Sequence, residues 1–506
     1  MSTLLSWVLL GYLAYSLFLV YYWRTRQPLP PKPLNVEDNL PLPWLAQTST
    51  VFSLTGLFGA YLGIAVILGS AALLGLACGT VIGLFAVREW IVLTFRRLQR
   101  EGKAAASFED FLTGILPDNR LDGTAFALAL SGIQCVFATS ELLILRELGK
   151  AALGLGSEQA TLLAVGVAVL GYFYLLLGGY VALFRTDRIQ LIVVCATAAA
   201  VSIYLVVHYS QLGWPSLPTP MPGFWEIPFV KSRPALYVWQ FMIAMVMGLG
   251  LLLASPDTWK RIYQVNKDQN TGKHPVRKRV LTFLAVGFLP YLVLLPVAFG
   301  ASGKVEVKRC CPDPSAFKGF RFPDTGYNKG IFVAFGLTLI ASFLSSFNGS
   351  VLASVHVALI WARKVVKKNT SGAQTSSMPE EARFYQFMMF GMIAISLLLF
   401  AGVYASSQYE FKNPWVIGNI LMGGYAVIAG LLIGTGGDIS RLPKHFSGGF
   451  LLLGWIVWLR YFASSPGSCK CPTLLSIQTV RIGVALCLAI AFLSGVITLY
   501  QRRRHD

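Results

Sequence analysis

The sequence predicts an all-α polytopic membrane protein with about 13 transmembrane helices, and three observations predict it. The 506 residues are 55% hydrophobic and only 13% charged, with a mean hydropathy of +0.61. A soluble domain of this size does not carry that balance. Apolar runs near the ~20 residues of a spanning helix recur along the whole chain. The basic clusters fall on alternate connectors, as the positive-inside bias requires.

The runs lie roughly at 4–23, 45–68, 70–95, 122–145, 158–183, 187–208, 235–255, 280–300, 331–361, 384–405, 414–435, 447–463 and 478–500. The first is followed by Arg24 and Arg26 and preceded by no positive charge, so it reads as a spanning helix rather than a cleavable signal. Its arginines put the N-terminus outside. Alternation then places Arg96-Arg97, Lys260-Arg261, Arg277-Lys278-Arg279, Arg363-Lys364 and the terminal Arg502-Arg503-Arg504 in the cytoplasm. The net charge of +19 is thereby assigned to orientation against an anionic inner leaflet. Nucleic acid is not an expected partner.

Cys78, Cys135, Cys195 and Cys487 fall in spans, where a thiol is a small apolar residue. Cys310, Cys311, Cys469 and Cys471 fall in two external loops. A bond within Cys310-Cys311 or Cys469-Lys470-Cys471 would be strained, so two bridges joining the loops are expected, with pairing unassigned. A four-thiol metal site is the alternative.

After a Pro-rich connector closing residues 1–43, the second run is rich in Gln47, Thr48, Ser53, Thr55, Gly56, Gly59 and Gly63. Polar and glycine residues at that density weaken a membrane helix unless the freed backbone groups line a cavity. Arg88-Glu89 in the third run is expected to satisfy itself locally. Glu141 ends another run near Arg146 and Lys150, and reads either as an interfacial charge or as a solute-facing carboxylate. Gly178-Gly179 predicts a tight bend before Asp187.

Residues 209–233, with Pro215, Pro218, Pro220 and Pro222, form an external loop. The next run contains Gly248 and Gly250 and then Ser255-Pro256, a second interrupted helix. Paired interruptions of opposite orientation point to an inverted-repeat secondary transporter with its site at mid-membrane. The repeats are expected at 44–208 and 234–435, with two further helices and a basic tail over 436–506.

The run from about 331 to 361 carries Ser342, Ser345, Ser346 and Ser350, mostly on one helical face. Such a face either packs helices closely or offers neutral oxygens to a hard cation such as Na+. His356, further along, reads as an interfacial histidine or a proton sensor.

These blocks together resemble the sodium/solute symporter family. Gly178-Gly179 through Ala182, Thr186-Asp187 and Gln190 is similar to the family's Gly-Gly, Thr-Asp and Gln block. Ser255-Pro256 to Arg261 resembles its Gln-Arg segment, Ala341 to Ser346 its sodium helix, and Phe108-Glu109-Asp110-Phe111-Leu112 its short segment after the second repeat helix. The resemblance implies a LeuT-type fold of five plus five inverted helices, with one extra N-terminal and two extra C-terminal helices and the C-terminus inside.

It also implies one sodium site. Ser345 and Ser346 would give hydroxyls, Ser342 its carbonyl, and the first repeat helix carbonyls near Ser53 and Gly56. Asp187 would flank the inner exit and attract the cation, unless a neighbouring arginine neutralises it at the interface. Where sugar-carrying members place Asn and Gln, this chain has Thr55 and Ala60.

The expected function is sodium-coupled symport of a small organic solute in a plasma membrane or bacterial inner membrane. Gln47, Thr48, Gln240 and Asn419 are the candidate solute contacts, chosen as polar residues of lining helices. Two alternatives are a proton-driven carrier using His356, Glu141 or Asp187, and a non-transporting sensor or scaffold on the same fold. No enzyme is expected, for the chain has neither an HExxH nor a GxSxG motif.

Overall fold

The computed structural model describes residues 10–18, 21–22, 70–102, 108–117, 119–151, 155–212, 233–267, 328–369, 378–406, 415–439, 442–464 and 477–505. Long helices dominate them. Helix α1 covers 10–18 and 21–22. It is followed by α2 (Ser70–Arg100), α3 (Phe108–Ile115), α4 (Arg120–Ala151), α5 (Ser157–Leu212) and α6 (Arg233–Leu253). The remaining helices are α7 (Pro256–Lys267), α8 (Asn328–Asn369), α9 (Met378–Ser406), α10 (Trp415–Gly434), α11 (Phe446–Ser464) and α12 (Ile477–His505).

By length and composition, Leu74–Arg100, Arg120–Leu143, Phe343–Val365 and Ile482–Gln501 can each cross a membrane. The expected spans at 45–68 and 280–300 lie outside the described residues. So do Cys310, Cys311, Cys469 and Cys471, while Cys78, Cys135 and Cys487 are free thiols.

Close helix packing follows from small residues. A Cβ at Gly75 or Gly79 would run into the backbone carbonyl of Phe241 or Met245, so these glycines let α2 lie directly against α6. Between α4 and α8 the device is polar. Ser131 Oγ donates to the Ser354 carbonyl at 3.0 Å, and Ser354 Oγ donates to the Ser131 carbonyl at 2.8 Å. Ser354 thus closes a helix contact rather than facing a ligand.

One end of the bundle is built on α3, whose Phe108, Phe111, Leu112 and Ile115 recur at helical spacing and are all buried. Trp90 meets both Phe111 and Trp259 edge-on, at centroid distances of 5.1 and 4.9 Å. Lys364 Nζ donates to the carbonyls of Thr113 and Leu116 at 3.1 and 2.9 Å, supplying a cation to the end of α3. Arg363 pairs with Glu109 at 3.0 Å, and Arg88 pairs with Glu89, as adjacent charges should. At the end of α10, Gly436 and Gly437 adopt positive φ, and Gly437 N–H returns to the Leu432 carbonyl at 2.7 Å.

One expectation is corrected in its form. Gly178-Gly179 does not interrupt the helix, for α5 is helical from Ser157 to Leu212. The helix nevertheless departs from straight between Gly171 and Asp187. Gly171 lies against Asn348 and Asp187 against Ser345, three residues apart on α8. Straight helix would separate Gly171 and Asp187 by about 24 Å, more than the intervening side chains can bridge.

Candidate functional site

The break expected at the end of the seventh run is present, and it sets the site. Helix α6 ends at Leu253, and Pro256 opens α7, where a missing N–H costs nothing. Ser255 Oγ accepts weakly from the Thr258 N–H at 3.4 Å, and Asp257 lies in the first turn, a favourable start for a helix. One turn on, Arg261 Nε donates to Asp257 Oδ2 at 2.7 Å.

Arg261 also reaches α5. Its Nη1 donates to Asp187 Oδ2 at 2.7 Å, and neither side chain is more than 1% exposed. The other Asp187 oxygen, Oδ1, accepts from Ser345 Oγ at 2.6 Å. A buried charge survives only when paired and hydrogen-bonded, and Asp187 has both conditions met. The backbone of α8 comes close to this cluster at Gly349, where a Cβ would stand 2.9 Å from Asp257 Oδ2 and 3.0 Å from Arg261 Nη2.

The reading of Asp187 as an acid at the interface is corrected: it is fully enclosed, and its cation comes from a residue 74 positions away. By charge placement Arg261 reads as one of a basic pair on a connector, yet it is 1% exposed. The signal that could have found it is simple. A short helix opened by Ser-Pro-Asp and carrying Lys-Arg, placed beside a buried acid, needs somewhere to bury its arginine.

Ser346, the second serine, faces a different helix. It is 6% exposed and lies near Glu141 of α4. Glu141 is 2% exposed, and its Oε2 has no hydrogen-bond partner among the described residues. Glu141 is therefore enclosed by protein rather than exposed at the helix end. Nearby Arg146 instead bonds Thr161 Oγ1 and Ser157 Oγ at 3.0 and 2.9 Å. Asn348 is fully buried over Gly171 and, among the described residues, its amide oxygen and nitrogen make no hydrogen bond.

His356 is also corrected from the interface to the interior. It is 1% exposed, edge-on to Phe108 at 5.5 Å. The same Phe108 ring carries the Lys260 ammonium at 4.9 Å on its other contacts. Burial pushes the Lys260 ammonium down to about 8, with Glu109 acting in the opposite direction.

The other predicted residues fall as follows. Ser342 lies on α8, Gln240 on α6 and Asn419 on α10. Gln47, Thr48, Ser53 and Gly56 lie outside the described residues. The structure therefore brings Asp187, Ser345, Ser346 and Glu141 into one continuous polar seam and adds Arg261 and Asp257 to it. Polar seams of this kind inside apolar helices are costly, and they mark ion or solute pathways.

No protein-family model matches the chain, and no curated protein matches its sequence. Among solved structures, the chain is similar to a substrate-bound outward-open state of a Na+-coupled sialic acid symporter. That match has a TM-score of 0.56 and 15% identity, over 97% of each chain. A manganese transporter of Eremococcus coleocola aligns more weakly, at TM-score 0.48 and 15% identity, over 92% of this chain and 95% of that one. The first likeness and the apolar helices together establish the chain as a polytopic, helical integral membrane protein with the fold of that symporter.

Proposed function

We propose that the chain is a secondary active transporter that carries a small organic solute together with sodium, by alternating access between repeats at 44–208 and 234–435. The observation that supports this best is the serine pair. Ser345 and Ser346 are buried side by side at a three-helix junction, with Ser345 donating to Asp187 and Ser346 lying near Glu141. Hydroxyl and carboxylate oxygens in one enclosed place suit a hard monovalent cation. The shared fold agrees with this, since that symporter is itself Na+-coupled.

In this reading Ser345 and Ser346 give hydroxyls, Ser342 its carbonyl, and Ser53 and Gly56 carbonyls from the first repeat helix. Asp187 touches the serine pair itself, so it acts from within the site's immediate surroundings. The solute lies beside the two helix breaks, touching Gln47, Thr48, Gln240 and Asn419. Cys310 and Cys311 bridge to Cys469 and Cys471 on the external face. Coupling means that sodium favours the solute-binding conformation over its alternative. An inward potential adds about 2.3 kcal/mol per charge per 100 mV.

Thermal unfolding of the purified protein in sodium against choline chloride, at equal ionic strength, tests this reading. A ligand that binds only the native state stabilises it by mass action. A saturable rise in sodium is expected for the wild type and none for Ser345→Ala combined with Ser346→Ala. Equal stability of the wild type in both salts would reject sodium.

A further inference from the structure

Helix α2 leaves one stripe open along its length. Its exposed positions are Ile82, Glu89, Leu93, Arg96 and Arg100, with Gln99 beside them, and the other described side chains are buried or half-buried. Steps of three, four and seven residues fall on one helical face. The stripe changes character toward the end of the helix. Ile82 and Leu93 are 46% and 59% exposed, Glu89 is held by Arg88, and the last turn is cationic. We propose that this end of α2 is a docking surface for an anionic phospholipid, with Arg96 and Arg100 on the headgroup phosphate and the face through Leu93 along an acyl chain.

Helix length sets the depth of these side chains. The apolar segment Leu74–Arg100 has 27 residues, about 40 Å of helix. That matches the hydrocarbon core together with its headgroup layers, about 40–45 Å. Leu93 then lies at the edge of the hydrocarbon, with Arg96 and Arg100 about 5 and 10 Å further along the axis, among the headgroups. The neighbouring acids are engaged elsewhere. Arg97, turned inward, pairs with Asp438 and, at 3.7 Å, with Glu101, and its Nη2 donates to the Gly114 carbonyl at 3.2 Å. Glu109 of α3 pairs with Arg363. Arg96 and Arg100 make no ion pair among the described residues, so two cations one turn apart stand uncompensated on a membrane-facing stripe.

Chemistry selects the partner. A guanidinium presents a planar fork of donors that matches phosphate oxygens in pairs. A zwitterionic headgroup brings its own cation beside its phosphate, whereas phosphatidylglycerol leaves a net negative charge for the two arginines. Each arginine beside an anionic headgroup is worth about fivefold in affinity. The apolar part of the stripe separates a lipid from a soluble phosphate, because only a phosphate that carries a chain can cover Leu93 and gain from burying it. This surface depends on the chain being an integral membrane protein and is independent of sodium coupling.

Native mass spectrometry of the detergent-purified full chain, titrated with equal amounts of phosphatidylglycerol and phosphatidylcholine, tests the proposal. The wild type should retain phosphatidylglycerol in preference. Arg96→Gln and Arg100→Gln should each lower that preference about fivefold, and the double variant about 25-fold. Both side chains are exposed, so these changes leave the packed interior intact. Arg460→Gln, at an exposed arginine of α11, should leave the preference unchanged. Glycerophosphoglycerol, the same headgroup without its chains, should fail to compete at the lipid's own concentration. No preference in the wild type, or the same preference in the double variant, overturns the proposal. An equal loss in Arg460→Gln reduces the effect to net charge and overturns the assignment to α2. Competition by glycerophosphoglycerol at the lipid's concentration identifies a site for free phosphate and overturns lipid docking.

Discussion

Removing Arg261 should be among the most damaging single changes to the transport core. The guanidinium is 1% exposed and donates to Asp187 and Asp257, both at 2.7 Å. In Arg261→Met, Asp187 stays enclosed with only the Ser345 hydroxyl as a described partner, while Asp257, with its side chain 15% exposed, keeps some access to water. The loss is therefore dominated by one uncompensated buried carboxylate, about 3–5 kcal/mol. Adding Asp187→Asn removes that charge. The double variant should recover about 2 kcal/mol of the loss, an interaction term of the size expected for residues in direct contact. Equilibrium unfolding in detergent micelles, followed by helical circular dichroism, measures both. A loss under about 1 kcal/mol for Arg261→Met, or a double variant no more stable than the single, would refute the idea that Arg261 is held there to neutralise Asp187.

Two further outcomes concern the packing around the site. Between about pH 8 and the ordinary lysine value of 10.5, the unfolded chain still holds the Lys260 proton while the folded one has released it. Stability from this residue should accordingly rise with pH across that window, with the full burial cost present below 8. Lys260→Met should flatten that rise and stabilise the protein at neutral pH; parallel pH profiles for the two proteins would count against it. At the α2–α6 contact, Gly79→Val must push back the Met245 carbonyl and should cost more than about 3 kcal/mol. By contrast Gly132→Ala, with open space around it, should be neutral or gain up to about 1 kcal/mol. Similar unfolding midpoints for the two glycine variants would show that the close approach is not essential.

The readable part of this molecule was local. The stripe Phe108, Phe111, Leu112 and Ile115 announces a one-sided helix, and Ser255-Pro256-Asp257 announces where a helix must restart. The Arg88–Glu89 pair needs no partner beyond its neighbour. The serine face of α8 was legible as two alternatives; the packing one is seen at Ser354, which closes the contact with α4, while Ser345 donates to the carboxylate of Asp187. The tight bend expected at Gly178-Gly179 was not a break at all, since the helix runs through it.

Apolar length and charge placement determine that this chain enters a membrane, because the free energy of burying a helix in lipid depends on each segment by itself. Tertiary structure alone decided which acids became neutralised. Asp187 and Glu141 both sit in apolar runs, and nothing in the order of residues says that one will meet Arg261 while the other has no ion pair among the described residues. That depends on which faces α4, α5, α7 and α8 turn toward one another. Helix faces are chosen by the packing of all their neighbours at once, so charge pairing across 74 residues and the enclosure of His356 emerge only when the helices are assembled.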